Sequence, residues 1–250
     1  MRSDSARTQQ RLLDTAERLF AMHGLQAVSL RAINAEAGAR NVSAAHYHFG
    51  SKEGVVRALV ARRMEWVARE RMAALDAVEA EAAGGVPSLR ALVEAMVLPL
   101  LRVLAQGSSH ATFLARATGE PGLALEQIAP PVFWTMVQRL LALVGRVLPD
   151  LPMHVLALRV RCLFQQTFVT VIEIDRLTRG RGGPVDAHLV ESIGADLVDY
   201  LVGGIGAPSR AGSAGVRKIA GAPPPRYRHV PQERSHRARR ATADGRSRAR

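Results

Sequence analysis

Four ring-bearing residues stand in a row, His46, Tyr47, His48 and Phe49, with Ser51 and Lys52 directly behind them. Imidazoles, a phenol, a hydroxyl and an ammonium can bind metal, move protons or grip an anion, and spacing separates these chemistries. His46 and His48 are two apart. On a helix that points them to different sides, and no Cys, Asp or Glu stands nearby at ligand spacing. No metal and no cofactor is expected. Enzyme signatures are missing too: there is no GxSxG, P-loop or HExxH pattern, and "GGIG" at 203–206 follows a helical rather than a strand pattern. Phosphate gripping suits the residues better. Tyr47 and His48 can donate to phosphate oxygens, and Ser51-Lys52 opens a helix whose free amides and nearby cation favour an anion. Phe49 has no polar handle and is assigned to the core.

The elements that must position these residues are helical. Leu12, Ala16, Leu19, Phe20 and His23 recur at helical spacing from about Thr8, and Gly24 supplies a stop. Ser29 is a natural N-cap for a short second helix carrying Leu30, Ile33 and Ala37, ended by Gly38. A third short helix is expected over about 43–49. Ser51 then caps a long fourth helix whose Val55, Val56, Leu59, Val60 and Val67 trace an apolar face as far as about Ala83. Two short helices joined at Gly38, with the first helix across both, make a helix-turn-helix. Its second helix would enter a DNA major groove.

Past Pro87 the helices become longer and more apolar, with expected spans 88–106, 109–118, 122–129, 131–148, 152–178 and 186–203. Proline or glycine marks nearly every junction: Gly107, Pro121, Pro130-Pro131, Pro149, Pro152 and "GRGGP" at 180–184. The last two helices are apolar over more than one face, so they should pack on more than their own neighbours. No period-2 strand competes, and the fold class is all-α. Phe133, Trp134, Met136, Phe164 and Phe168 are candidates to line a mostly apolar effector pocket. His110, Gln165, Gln166 and Thr167 are its candidate polar fixtures, and ordinary core is the competing reading for each.

Composition bounds the rest. The chain has 250 residues, nearly half of them apolar and few aromatic. The apolar runs, such as Leu92–Ala105, are interrupted and expected to fall short of a bilayer span. The opening residues are hydrophilic and one cysteine, Cys162, permits no internal disulfide, so a cytoplasmic protein is expected, with Cys162 an inert core thiol. The net charge of +12 is unevenly placed. Twelve Arg or Lys against two acids lie in 207–250, a Pro/Gly/Ser/Arg-rich tail expected to be disordered. That tail could add non-specific DNA affinity or be a passive appendage. Within Met1–Leu75, twelve basic residues face seven acidic ones.

"RLLDTAERLFAMHGLQAVSLRAINAEAG…YHFGSKEGVVRAL" resembles the DNA-binding domain of TetR-family transcriptional regulators over about Arg7 to Leu59. The all-helical remainder agrees with that family's ligand-binding and dimerisation domain in architecture only. The turn "ARNVS" is one residue longer than usual, Asn34 stands where alanine is common and Ala45 where a larger aliphatic is common. The resemblance implies a reading head over 7–52, an effector and dimerisation domain over 53–206 and the tail over 207–250. It implies base-edge contacts from Arg31, Arg40, Asn41, Ser43 and His46, arginine suiting guanine and asparagine adenine. Phosphate contacts fall to Ser29, Tyr47, His48 and Lys52. The expected partners are a palindromic double-stranded DNA operator, a largely apolar small-molecule effector and a second copy of the chain, but no membrane. A repressor is the expectation; a non-specific nucleic-acid binder with a helical interaction domain is the alternative.

Overall fold

The structure, a computed structural model, describes residues 2–39, 41, 43–106, 109–119, 128–179 and 186–209. Among the described residues the ordered elements are all helical: α1 (Arg2–His23), α2 (Leu30–Glu36), α3 (Ala44–Phe49), α4 (Lys52–Glu81), α5 (Leu89–Ala105), α6 (Ser109–Thr118), α7 (Pro131–Val147), α8 (Met153–Arg179) and α9 (Ala187–Gly206). Residues 122–127 of the expected helix at 122–129, and nearly all of the expected disordered tail, lie outside the described residues.

Caps fall where the sequence places them. Ser29, Ser51 and Ser88 each accept a hydrogen bond from the third residue on, at 3.1 Å, and so satisfy amides the helix cannot pair itself. Gly38 turns the chain between α2 and α3 at φ +59°, a conformation costly for any residue with a Cβ. Gly54 serves a different need. A Cβ there would lie 2.0 Å from the Phe49 carbonyl oxygen, so only glycine lets the start of α4 press against the end of α3.

Two helices outrun their patterns. α1 begins at Arg2 rather than near Thr8, because a polar stretch without breakers extends a helix but adds nothing to an apolar period. α9 continues through Gly203 and Gly204 to Gly206. Each glycine costs roughly 1 kcal/mol there. The extension is held by buried Ile205, and by Arg159, whose Nη1 donates to the Ile205 and Ala207 carbonyls at 2.6 Å.

The core is one connected cluster that runs from Leu12 and Phe20 in α1 to Leu201 and Ile205 in α9. α1, α2 and α3 pack together on the start of α4, while α4 continues past them to contact α5, α6 and α7. α5 packs chiefly on α9 and α4, and α6 lies between α1 and α8. Pro99 sits buried within α5, where it withdraws the amide that would bond the Ala95 carbonyl.

Two expectations are corrected. Cys162 is exposed, not a core thiol, because the helical rotation of α8 turns it outward beside Arg161. Met153–Thr178 is long and apolar enough to cross a bilayer by length and composition, so interruption alone does not rule out every segment. That helix nevertheless packs on α5, α6, α7 and α9, and buries Asp175, which accepts from Thr112 Oγ1 at 3.1 Å.

Candidate nucleic-acid interface and regulatory site

The start of α3 is built from three sources. Asn41 Oδ1 accepts from the Ser43 amide at 2.9 Å and the Asn41 carbonyl accepts from Ala44 N at 3.0 Å, a side-chain-supported turn. Ser43 occupies the cap position without making a side-chain cap bond. The missing cap comes from another helix: Asn34 of α2, 4% exposed, accepts from Ala45 N at 2.9 Å through Oδ1. The small Ala44 and Ala45 let α3 approach that closely, and both are buried. Asn34 in place of the usual alanine, with Ala45 in place of a larger aliphatic, is therefore one paired device.

Outward from that anchor, His46 and Tyr47 are exposed, Tyr47 at 81%. His48 is half-buried, its ring edge-on to Tyr47 at 5.2 Å and tilted against Phe49 at 6.1 Å. Phe49 packs partly against the core, as its apolar ring requires. Arg31 and Ser29 are exposed at the start of α2, Ser29 already accepting from Ala32 N. Arg40 lies outside the described residues. Lys52 is tied inward: its ammonium donates to the Leu25 carbonyl at 3.2 Å and to Gln26 at 3.4 Å, which pins the start of α4 to the α1–α2 turn. Glu53 beside it is held below the usual carboxylate range, first by a backbone hydrogen bond at the helix start and then by Ser51. Among the described residues no three of His, Cys, Asp and Glu come together at metal-holding distance.

A polar knot joins this unit to the rest. Glu17 of α1 is 1% exposed and accepts from Arg62 Nη2 at 3.0 Å and from Arg63 Nε and Nη2 at 2.7 and 2.5 Å. Arg63 Nη2 also meets His110 Nε2 of α6 at 2.6 Å. A guanidinium has no lone pair to offer, so the imidazole must accept there and is neutral. Consistently, burial lowers the His110 pKa, outweighing the nearby Glu17 charge. His110, a candidate polar fixture of an effector pocket, thus meets Glu17 and Arg63 at the α1–α4–α6 junction.

The other pocket candidates divide. Trp134 and Phe133 meet edge to face at 5.2 Å, and Phe133 and Phe164 lie 6.0 Å apart, so α7 and α8 share one half-buried aromatic wall. Phe168 is half-buried against the core and Met136 fully buried. Gln165 faces out, Gln166 is half-buried and Thr167 spends its hydroxyl on the Leu163 carbonyl at 2.8 Å. A shallow depression of about 490 Å³ lies elsewhere, lined by the α1–α2 turn with Arg116, Gly119 and Ile172. Arg71, which the sequence reading passed over, lies beneath the aromatic wall. Stepping four residues on from Val67 lands on it, so an arginine inside an apolar stripe was the available signal.

A helix-turn-helix with a pinned second helix, joined by a long shared helix to an aromatic-walled bundle, defines the class of DNA-binding regulators. Residues 12–59 match the family model described as bacterial regulatory proteins, tetR family, and residues 94–204 match the tetracyclin repressor-like C-terminal domain. The chain belongs to the TetR family of transcriptional regulators. Among solved structures it is similar to the ketosteroid transcriptional regulator KstR2 of Mycobacterium tuberculosis, with 20% identity, 78% of this chain and 93% of that chain covered, and a TM-score of 0.51. It is also similar to a gamma-butyrolactone receptor (ArpA-like protein), at 19% identity over 79% of this chain and 97% of that one, with a TM-score of 0.47. At such identities the likeness is one of fold. No curated protein matches the sequence.

Proposed function

We propose that this protein is a ligand-responsive transcriptional repressor that binds a palindromic operator as a homodimer. The observation that carries the reading is the α3 start. Asn34 holds its inner face against α2, and His46 and Tyr47 are left outward, where a major groove would meet them. Arg31, Arg40, Asn41, Ser43 and His46 are assigned to base edges, and Ser29, Tyr47, His48 and Lys52 to phosphates. Lys52 has two acceptors in the protein already, so it serves phosphate with its remaining N–H while holding α4 in place.

Exposed apolar side chains on the last two helices support dimerisation: Leu158, Val169 and Leu177 on α8 and Tyr200 on α9. Pairing α8 and α9 with their copies would set two reading heads about 34–36 Å apart. The effector domain is taken as 53–206 and the reading head as 7–52, with α4 as the lever between them. A largely apolar ligand on the Phe133–Phe164 wall would shift α4 and change the separation of the heads. Such a switch requires that the ligand bind one of the two states more tightly. The working compartment is the cytoplasm, with the DNA.

Selection of bound duplexes from a random pool tests the reading. A palindromic consensus is expected. Retention of DNA without sequence enrichment would favour a non-specific nucleic-acid binder, and a monomer at micromolar concentration by sedimentation would remove the paired-head geometry.

A further inference from the structure

Arg71 is the largest of the fully buried side chains among the described residues, at 1% exposure, and it is a cation. It projects from α4 into the junction with α5 and α8. Its Nε donates to the Met96 carbonyl at 2.8 Å, and its guanidinium carbon lies 5.0 Å over the Phe164 ring. Its Nη2 is buried and meets no acceptor among the described residues. Among the described residues no carboxylate pairs with it, and burial alone acts on its acidity, lowering its pKa to about 9. It therefore stays charged at neutral pH. Arg62, Arg63, Arg116 and Arg139 are all less buried, yet each has a carboxylate partner.

A carbonyl and a ring face offset only part of the cost of burying a charge, since a guanidinium presents five N–H groups in one plane. Phe164 takes the face and Met96 one N–H; Nη2 has N–H groups in the guanidinium plane that meet no acceptor among the described residues. The rings beside it are apolar. Trp134, Phe133 and Phe164 form a continuous line of rings, each half-buried and so still partly accessible, that ends on the guanidinium.

We propose that Arg71 anchors the carboxylate of a hydrophobic carboxylic acid whose apolar body lies along Trp134, Phe133 and Phe164, and that this acid is the effector. The proposal rests on the ligand-responsive reading above and adds the ligand's chemical class and the residue that selects it. A ketone or alcohol would satisfy the N–H but leave the charge uncompensated, whereas a carboxylate supplies both, in the plane the guanidinium offers. Because Arg71 is on α4, neutralising it acts on the helix whose start is clamped to the reading head by Lys52.

The test titrates the full-length protein with hexanoate, octanoate, decanoate, dodecanoate, 4-phenylbutyrate and 2-naphthoate, each beside its methyl ester. Melting temperature and release of the selected operator duplex are read together. At least one acid is expected to stabilise the protein saturably, with a half-point about tenfold tighter than its ester or better. In Arg71→Met, of similar length and uncharged, the preference for acid over ester should vanish while the ligand-free melting temperature holds or rises. Three results would each overturn the proposal: no acid stabilises the protein, acid and ester act alike, or the preference survives Arg71→Met. If Arg71→Met does not fold, Arg71→Lys keeps the charge and loses the planar fork, and unchanged acid affinity there overturns the proposal as well. Operator selection without ligand is scored separately. Intact selection with indifference to every acid would refute the anchor alone, and loss of selection would refute the regulator reading itself.

Discussion

The two ends of α4 treat buried polarity in opposite ways. At the amino-terminal end, Arg62 Nε apart, the buried polar devices meet partners within the protein: Asn34 on the Ala45 amide, Lys52 on two carbonyls, Glu17 between two arginines. Toward the other end Arg71 is buried with one hydrogen bond, one ring and a donor to spare. The contrast matches the two tasks proposed above. A reading head must present fixed geometry to DNA, and satisfied polar groups specify a single arrangement. A regulated bundle must gain something when its ligand arrives, and an uncompensated charge is a means of gaining it.

The comparison breaks most visibly at Glu17. Glu17→Ala removes the acid between Arg62 and Arg63 and should cost about 3 kcal/mol of unfolding free energy in a urea titration. A loss below about 0.5 kcal/mol would show the knot to be a solvated surface pairing after all.

Next comes Asn34. Asn34→Ala leaves the Ala45 amide without its acceptor, at an expected cost of about 1–3 kcal/mol. It should also weaken operator affinity more than Asn41→Ala does, because Asn34 positions the whole of α3 and Asn41 only the turn before it. Equal operator affinities for the two variants would demote Asn34 to ordinary packing.

Lys52→Ala sharpens the division of labour within one side chain. As a phosphate contact it should lower the slope of log affinity against log salt by roughly one unit on all DNA. An unchanged slope accompanied by lower stability would leave only its grip on Leu25 and Gln26.

The smallest effect is at His110. Burial lowers its folded pKa below the ordinary 6.5, so the unfolded chain binds the proton first as pH falls. Its contribution is thus fully present above about pH 6.5 and is lost as pH falls through the lower, folded value. His110→Gln should flatten that part of the stability profile; a slope that persists belongs to another group.

Much of the fold could be read without coordinates, because helices declare themselves locally. The period of Leu12, Ala16 and Phe20, the serine caps at 29 and 51 and the glycine at 38 act within a few residues of themselves, and the helices begin and end near them. The patterning failed where distance in sequence mattered. Ile205 and Arg159 carry α9 past three glycine positions, and nothing local signals that support. Cys162 is a candidate core thiol in the sequence, but only the orientation of α8 determines which side of the helix meets solvent. His110 is a candidate polar fixture in the sequence, and only the fold brings a buried glutamate of α1 and an arginine of α4 beside it.

The sequence by itself determined the class of the protein: short capped helices around Gly38, the "YHFGSKE" run and a long apolar-faced fourth helix followed by an all-helical remainder. Those signals are covalently local and survive without a fold. The tertiary structure decided which polar residues have partners. It brought Asn34 to the amide of Ala45, Glu17 to Arg63, and Arg71 into an interior where no acid among the described residues meets it. The physical reason is that the cost or benefit of a buried polar group depends on what stands within about 3 Å of it. For residues tens of positions apart, only packing sets that distance.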